Sequence, residues 1–348
     1  MTPINRDNAR AFNINRRPPS AKFQSISNRI WEEHFIDSFP DKTTGPKPKA
    51  TAKEQFKVLL ADLYAAYLED PLMSLRVGLR DSAYQLNQYN KLSITKKIEE
   101  IINHAREISL IDFKLGSEIG GRTCIRANDN LLTYFKDSNL TLMDYKLSDQ
   151  EVIILRDKDH DDNKSVDVEY KDSESIVSMR NDLKKYNELL FRTHIDICTA
   201  QYPYIEKSIW NKKKQKYESK RIKTNQLNKF VRRIFSRGSW QLGGRFHGGF
   251  WQRINEEERK AIYINGKPTS EQDYSGLHIN LLYGLKCRQP SKEDPYELDH
   301  ILLEFSKEEQ RAVIKDLILM ALNADNLKSA INAFRAKQPT GSKAKRLN

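Results

Sequence analysis

A glycine- and aromatic-rich stretch, residues 240–323, most constrains what this chain can fold into. It opens with Leu242-Gly243-Gly244-Arg245-Phe246-His247-Gly248-Gly249-Phe250-Trp251-Gln252. Further on, Ile262-Tyr263-Ile264 is β-branched and aromatic, which favours a strand. Asn265-Gly266 follows directly and is a strong hairpin signal, because both residues tolerate a positive φ. We therefore expect a hairpin here, whose second strand runs from Thr269 towards Asp273.

Asp273 stands where that second strand is expected to end. Leu277, Leu281, Leu282 and Leu285 follow at helical spacing, so a helix should begin just after it. A carboxylate between a strand end and a helix start is a common place to hold a divalent metal or a phosphate. The same carboxylate can simply cap the helix. Spacing alone leaves both interpretations open.

The order of these segments resembles that of the family A DNA polymerases, whose palm is shared by the single-subunit phage RNA polymerases. Asp273-Tyr274-Ser275, followed by Leu277 and Leu281-Leu282, resembles motif A, where the aspartate holds catalytic metal. Arg311 and Lys315, followed by the apolar run from Leu317 to Leu322, resemble motif B, the fingers helix that grips the incoming triphosphate. Gly244-Arg245, with Gln252-Arg253-Ile254 after it, resembles the glycine-arginine segment that precedes motif A.

The resemblance implies template-dependent nucleotidyl transfer by a polymerase-like protein of a phage or mobile element, assisted by Mg²⁺ or Mn²⁺. Such transfer depends on metal ions and on cations that orient the triphosphate. Arg311 and Lys315 are four residues apart, so one helix face presents both; an exposed face paired with Glu308 and Asp316 has the same spacing. The implied roles are metal ligand and catalytic residue for Asp273, catalytic residue for Lys315, nucleotide binding for Arg311, Lys315, His278 and Tyr274, and nucleic-acid binding for Arg245 and Gln252.

The sequence also departs from the family. His278 stands where the DNA polymerases have the glutamate that restricts the sugar, and Leu319 stands where their fingers helix has an aromatic residue. The His-Asp pair of motif C, which carries the second metal ligand, is not found, and Asp299-His300 has the reverse order and precedes motif B. The chain is therefore expected to be a poor or inactive polymerase on its own. The alternative is a non-catalytic nucleic-acid-binding replication protein with a degenerate palm.

The N-terminal part is predicted to be helical. Within residues 1–50 the apolar spacing of Ile26, Ile30, Trp31 and Phe35 indicates one amphipathic helix between extended ends. Residues 51–140 then show helices, a short strand, a glycine turn and a second strand, which outlines a winged helix. Arg122 and Arg126 would lie in its wing along a phosphate backbone, together with Lys114. A small helical domain with a hairpin and no ligand fits the same pattern.

Residues 141–235 are predicted to be a mixed α/β connecting region with a basic hairpin. Lys212, Lys213 and Lys214 lie between Trp210 and Tyr217, so the lysines could meet phosphates while the aromatics stack on bases. A solvated lysine-rich turn explains the same residues. The acidic run from Asp157 to Asp162 lacks the glycine and the terminal glutamate of a calcium loop, and we assign it no function.

The 348-residue chain has a formal net charge of +12, which favours polyanionic partners, here DNA or RNA and a nucleoside triphosphate. It has no apolar run of membrane-span length and no signal-peptide apolar region, and its three isolated cysteines suit reduced thiols. We expect a cytoplasmic protein without a membrane partner.

The predicted fold class is α+β, an N-terminal helical and winged-helix-like region followed by a partial polymerase palm/fingers-like domain. The predicted domains are residues 1–50, 51–140, 141–235, 236–336 (palm and fingers) and a basic tail, 337–348.

Overall fold

The structure, a computed structural model, describes residues 3–16, 20–40, 48–79, 81–116, 122–141, 145, 149–158, 165–211, 215–290, 294–297 and 305–337. The chain divides into two units, Met1–Ser270 and Glu271–Asn348. The fold is mixed α+β, as predicted. A boundary at residue 236 would cut the hairpin formed by residues 232–247, so that predicted boundary is wrong.

The helices of the described part of the chain are α1 (Ala21–His34), α2 (Ala52–Glu69), α3 (Lys97–Glu107), α4 (Asp129–Asp137), α5 (Glu174–Arg192), α6 (Glu256–Lys260), α7 (Leu277–Leu285), α8 (Lys307–Asn323) and α9 (Leu327–Lys337). The strands are β1 (Ala9–Ala11), β2 (Ser74–Val77), β3 (Ile111–Lys114), β4 (Thr123–Ala127), β5 (Ile153–Lys158), β6 (Ser165–Asp167), β7 (Ile195–Ile197), β8 (Tyr204–Asn211), β9 (Lys216–Lys223), β10 (Arg232–Ser236), β11 (Ser239–His247), β12 (Ile262–Ile264) and β13 (Lys267–Pro268).

The N-terminal core lies between α1 to α4 and a four-stranded sheet of order β1-β2-β4-β3. Helix α2 begins in a capping box, in which Thr51 and Glu54 satisfy each other's backbone N–H groups. The predicted amphipathic helix is α1, and its Trp31 packs against Phe56 of α2 at 5.5 Å between ring centroids. Aromatic and branched side chains from all four helices thus bury one continuous core.

The N-terminal segment before α1 is more ordered than predicted. Residues 9–11 form β1, which pairs in parallel with β2. The cause is Asp62 on α2, which is fully buried and accepts hydrogen bonds from Arg10 at 2.8 and 2.9 Å. It also accepts from the Asn13 N–H at 2.8 Å and from Arg16 at 3.2 Å. This buried carboxylate therefore helps to fix a segment whose Phe12 and Ile14 also pack against the core.

A second four-stranded sheet, of order β11-β10-β5-β6, carries α5 on one face. Strand β10 pairs in parallel with β5 and antiparallel with β11. Ile176, Leu183 and Leu190 of α5 and Phe235 of β10 are buried in this second core. Helix α5 and strands β5, β6 and β10 lie within the region that the sequence predicts to be mixed α/β.

The predicted turn at Asn265-Gly266 is confirmed, since both residues have positive φ, 50° and 77°. The predicted second strand from Thr269 to Asp273 is wrong, because β13 ends at Pro268. Thr269 closes the hairpin instead, donating its N–H and its hydroxyl to the Ile262 carbonyl at 3.1 and 2.9 Å. Proline lacks the N–H that a longer ladder would need.

The second unit contains α7, α8 and α9 among its described residues. Helix α7 starts just after Asp273, as predicted, and α8 begins in a capping box between Ser306 and Glu309. In the described residues of both units, no helix has the length and apolar character needed to cross a bilayer. The three cysteines are free, as expected.

Candidate nucleic-acid interface and triphosphate site

The basic hairpin predicted near Trp210 is a two-stranded antiparallel ribbon, β8–β9. Each strand has eight residues, which corresponds to about 25 Å at about 3.3 Å per residue. Ile205 and Ile222 face each other at its base, and Ile222 is buried in a small core with Phe250. The rest of the ribbon therefore projects from a fixed, apolar base. Lys212, Lys213 and Lys214 lie outside the described residues.

One face of the ribbon carries several lysines, with Glu218 between two of them. Lys207 and Lys220 are exposed and stand directly opposite each other in the register. Lys216 lies on the same face, because side chains alternate along a strand and Lys216 is four residues from Lys220. Like charges directly opposite each other destabilise a sheet. A bound polyanion would remove that cost.

The other face carries aromatic side chains at its distal end. Trp210 and Tyr217 are opposite each other, with ring centroids 5.0 Å apart, and are 43% and 70% exposed. Such exposed aromatics are the platforms on which unpaired bases stack in nucleic-acid-binding proteins.

The base of this aromatic face is anchored to the N-terminal region. Lys223 and Arg221 reach Asp70, the C-cap of α2, at 3.1 and 3.3 Å. Both cations also lie over the Tyr204 ring, 4.7 and 4.5 Å from its centroid. These two basic residues therefore hold the ribbon, which the sequence did not reveal because Asp70 is distant along the chain.

The sheet face opposite α5 is also basic. Arg232 is registered with His247, and Ile234 with Arg245, so strand alternation places Arg232, Arg245 and His247 on one face. Arg245 and His247 are exposed. Arg233 points to the α5 side, where its guanidinium lies 5.1 Å from the Phe235 centroid. Arg245, predicted to bind nucleic acid, thus lies on a surface suited to phosphates.

The side chain of Gln252, also predicted to bind nucleic acid, makes hydrogen bonds within the protein. Its amide donates to the Phe246 carbonyl at 2.8 Å and accepts from the Gly248 N–H at 3.0 Å. These two bonds fix the turn that follows β11. Both ends of the amide are engaged, so the expected contact to nucleic acid is not supported.

The two arginines predicted for the wing differ in their exposure to solvent. Arg122 is exposed at the start of β4. Arg126 is buried, 7% exposed, and its guanidinium pairs with Asp112 at 2.5 Å across the β3–β4 register. The prediction that Arg126 lies along a phosphate backbone is wrong, because its charge is neutralised inside the protein. Residues 117–121 of the wing lie outside the described part of the chain.

In the second unit, the motif A-like and motif B-like segments both contact a turn at residues 294–296. Gly276, the left-handed N-cap of α7, lies against Pro295, since a Cβ on Gly276 would be 2.4 Å from the proline Cγ. Asp294, next to Pro295, pairs with Arg311 of α8 at 2.5 Å, and the Arg311 guanidinium lies 5.6 Å from the centroid of the Tyr296 ring. The turn at 294–296 therefore connects the start of α7 to Arg311.

The Arg311–Asp294 pair is electrostatically reinforced. The hydrogen bond from Arg311 lowers the pKa of Asp294, and the nearby charge of Lys315 acts in the same direction. Asp294 is thus a carboxylate that interacts with both α8 cations predicted to bind the triphosphate, Arg311 and Lys315. Asp316, the alternative partner suggested by spacing, pairs with Lys337 at 2.7 Å instead.

Asp273, Tyr274 and His278 are all exposed. One carboxylate oxygen of Asp273 accepts the Tyr274 N–H at 2.8 Å. Since the N-cap of α7 is Gly276, the interpretation of Asp273 as that cap is wrong. Arg245 and Gln252 belong to the first unit, whereas Asp273, Arg311 and Lys315 belong to the second.

Nowhere among the described residues do three or more His, Cys, Asp or Glu side chains group to hold a metal ion. Asp273 supplies one exposed carboxylate, and Asp294 is committed to Arg311. Two-metal transfer needs carboxylates that clamp both ions.

Comparisons with protein-family profiles, with curated proteins and with solved structures find no match to the chain.

Proposed function

We propose that the chain is a non-catalytic nucleic-acid-binding protein of the replication type. The observation that carries this proposal is the β8–β9 ribbon, with the opposed Lys207 and Lys220 on one face and the exposed Trp210 and Tyr217 on the other. A two-stranded ribbon fits the major groove of duplex DNA, and exposed aromatics suit unpaired bases. The basic sheet face that carries Arg245 is a further surface suited to phosphates.

Binding through phosphates has a measurable signature. Each phosphate neutralised releases counterions, so affinity should fall linearly on a log–log plot against salt. We expect the substitution of Lys207 and Lys220 by glutamine to reduce the slope by about 1.4 to 1.8, because each phosphate contact contributes about 0.7 to 0.9. Lys171 and Lys185 are exposed lysines outside the ribbon, and their double glutamine variant is the matched control. Equal slopes in both variants would contradict the proposal.

The aromatic end of the ribbon distinguishes single strands from duplex. Replacing Trp210 or Tyr217 by alanine should weaken single-strand binding by about 1 to 3 kcal/mol for each stacked base. Duplex binding should change much less, because its bases are already stacked. The comparison of both affinities by fluorescence anisotropy tests this point.

A winged-helix module is proposed for residues 52–127. The order helix, strand, helix and antiparallel strand pair, with β4 between β2 and β3, supports this assignment. The exposed side of α3 includes Glu100 and Glu107 beside Arg106, a mixed and partly acidic surface. That surface favours a protein partner over phosphates. Arg122 remains a proposed wing residue suited to a phosphate, whereas Lys114 donates to the Ile4 carbonyl at 2.9 Å.

Template-dependent nucleotidyl transfer is the second candidate, favoured by the contact of Gly276 with Pro295 and of Asp294 with Arg311. Arg311 and Lys315 would bind the triphosphate, and Tyr274 and His278 would lie near the nucleotide. Mg²⁺ or Mn²⁺ would be bound through Asp273. In a primer-extension assay with either ion we expect little or no product. Robust extension that Asp273→Asn abolishes would favour this second candidate over the first.

A further inference from the structure

A pocket of about 210 Å³ in the first unit is lined by four basic side chains, Arg16, Lys229, Arg232 and Arg253. None of the residues described as lining it is Asp or Glu. Pockets for drug-sized ligands span about 300 to 1,000 Å³, so this one suits a smaller group. The four cations come from the N-terminal segment, from the connection before β10, from β10 itself and from the turn before α6.

The uncharged side chains of the pocket build its wall. Asn187 of α5 donates to the Val231 carbonyl at 2.9 Å and accepts the Val231 N–H at 2.8 Å. Gln226 donates to the Phe191 carbonyl. Their hydrogen-bonding capacity is directed into the fold, so the cations are the groups that a ligand would meet.

The cations are only partly compensated. Lys229 is 1% exposed and has three N–H donors, one of which bonds the Thr193 carbonyl. Arg232 donates to Gln150, a neutral amide. Arg16 shares the buried Asp62 with Arg10, at 3.2 Å from its Nε. Two of the four cations, Lys229 and Arg232, thus have neutral oxygens as their partners.

The pKa values agree with this geometry. Burial lowers the pKa of Lys229 to about 8. Burial also lowers the pKa of Arg232, where the charge of Arg156 adds to the effect and Asp167 opposes it. A cation with a lowered pKa lies in an environment that favours an incoming anion.

We propose that this pocket binds a phosphate group, either inorganic phosphate or the 5′-terminal phosphate of a nucleic-acid strand. Arginine forks and a lysine are the usual ligands of phosphate oxygens, and about 210 Å³ accommodates the group without a whole nucleotide. The ribbon passes beside the pocket, because Lys207 donates to the Arg253 carbonyl at 3.4 Å. The binding of inorganic phosphate does not rest on the proposed function.

The test is calorimetric titration of the full chain at constant ionic strength with three probes: inorganic phosphate, a 5′-phosphorylated oligonucleotide and its 5′-hydroxyl counterpart. We expect inorganic phosphate to bind, or the 5′-phosphorylated strand to bind more tightly than the 5′-hydroxyl strand. Arg232→Gln should weaken that phosphate-dependent binding about tenfold or more, the loss expected for one charge-assisted contact. Arg253→Gln should do the same, and because Arg253 is a surface residue this variant keeps the test valid if Arg232→Gln is unstable.

Lys185→Gln removes the same charge from an exposed position of α5 outside the pocket and should leave phosphate binding unchanged. Inorganic phosphate binding alone identifies free phosphate as the ligand, and a preference for the phosphorylated strand alone identifies a strand end. Both outcomes support the proposal that the pocket binds a phosphate group. Absence of both, or equal losses in Lys185→Gln and in the two pocket variants, overturns it. The ribbon variants test the salt-dependent binding of nucleic acid, and the pocket variants test the binding of phosphate. Either proposal can therefore fail while the other holds.

Discussion

At the scale of single residues, Asp62 is where the contacts of the N-terminal segment converge. Its side chain has no exposed surface and accepts hydrogen bonds from Arg10, Arg16 and the Asn13 N–H. Burial alone would raise the pKa of Asp62, but the charges of Arg10 and Arg16 and these hydrogen bonds outweigh burial and lower it. The charged form is therefore the one that stabilises the fold.

We predict that Asp62→Asn lowers the free energy of unfolding by about 3 to 5 kcal/mol, because it leaves buried guanidinium groups without their counterion. Urea denaturation at pH 7 measures this. The contribution of Asp62 is present above its unfolded pKa, near 3.9, and is lost as the pH falls through its lower folded value. The matched control is Glu188→Gln, which breaks the exposed i,i+4 pair with Arg192 and should cost about 0.5 kcal/mol or less.

The charge of Lys229 lowers the stability of the fold, whereas the charge of Asp62 raises it. Its folded pKa, about 8, lies below the ordinary value of 10.5, so the charged form costs stability below pH 8. We predict that Lys229→Met raises the free energy of unfolding at pH 7 by about 1 to 2 kcal/mol in phosphate-free buffer. The difference from the wild type should shrink as the pH rises from about 8 to about 10.5. A difference that is constant with pH would show that the lysine charge is not its cause.

At the scale of the elements, local patterns predicted those whose determinants lie within a few residues. The arms of the ribbon, helix α5, the turn at Asn265-Gly266 and helix α7 all follow from alternation, helical spacing or turn chemistry. Strand β1 could not be predicted, because it depends on Asp62, and the burial of Arg126 depends on Asp112 across the β3–β4 register. For the candidate site, the sequence predicted the residue types but not the residues that pair with them. Asp70 and Asp294 form ion pairs that occupy some of the cations within the protein, and no sequence motif marks either aspartate.

Helix α7 offers a comparison between two glycines, because Gly276 is its N-cap and Gly284 lies within it. A Cβ on Gly276 would be 2.4 Å from Pro295, at a backbone φ of +58°, whereas a Cβ on Gly284 would meet nothing within 4 Å. We predict that Gly276→Ala destabilises the chain by about 1 to 3 kcal/mol, since a rigid proline ring must move. Gly284→Ala should stabilise it by about 0.5 to 1 kcal/mol, through helix propensity. Thermal unfolding of the two variants side by side tests the contact between α7 and the 294–296 turn.

At the scale of the whole molecule, the proposed nucleic-acid surface and the triphosphate site fall in different units. The ribbon, the basic sheet face and the phosphate pocket are all formed by residues before Ser270. Asp273, Arg311 and Lys315 follow it. The +12 net charge, read from composition alone, does not reveal this division.

We predict that a fragment ending at Ser270 keeps nucleic-acid binding with the salt slope of the full chain, to within about one phosphate contact. Its residues include the described lysines of the ribbon together with Arg245. Fluorescence anisotropy across a salt series compares the two proteins, and circular dichroism confirms that the fragment is folded. A slope close to zero for a folded fragment would assign the binding to residues beyond Ser270.

The parallel pairing of β5 with β10 has a consequence for the order of events during synthesis. Ile153 is registered with Arg233 and Leu155 with Phe235, so β5 has left the ribosome long before its partner exists. Closing so long a loop carries a larger entropic cost than closing a hairpin, and contacts between distant residues form slowly. In the interval, the edge of β5 that β10 will cover presents unpaired backbone groups. We therefore expect the amides of β5 that bond to β10 to gain protection from hydrogen exchange later in refolding than those of the β8–β9 ribbon.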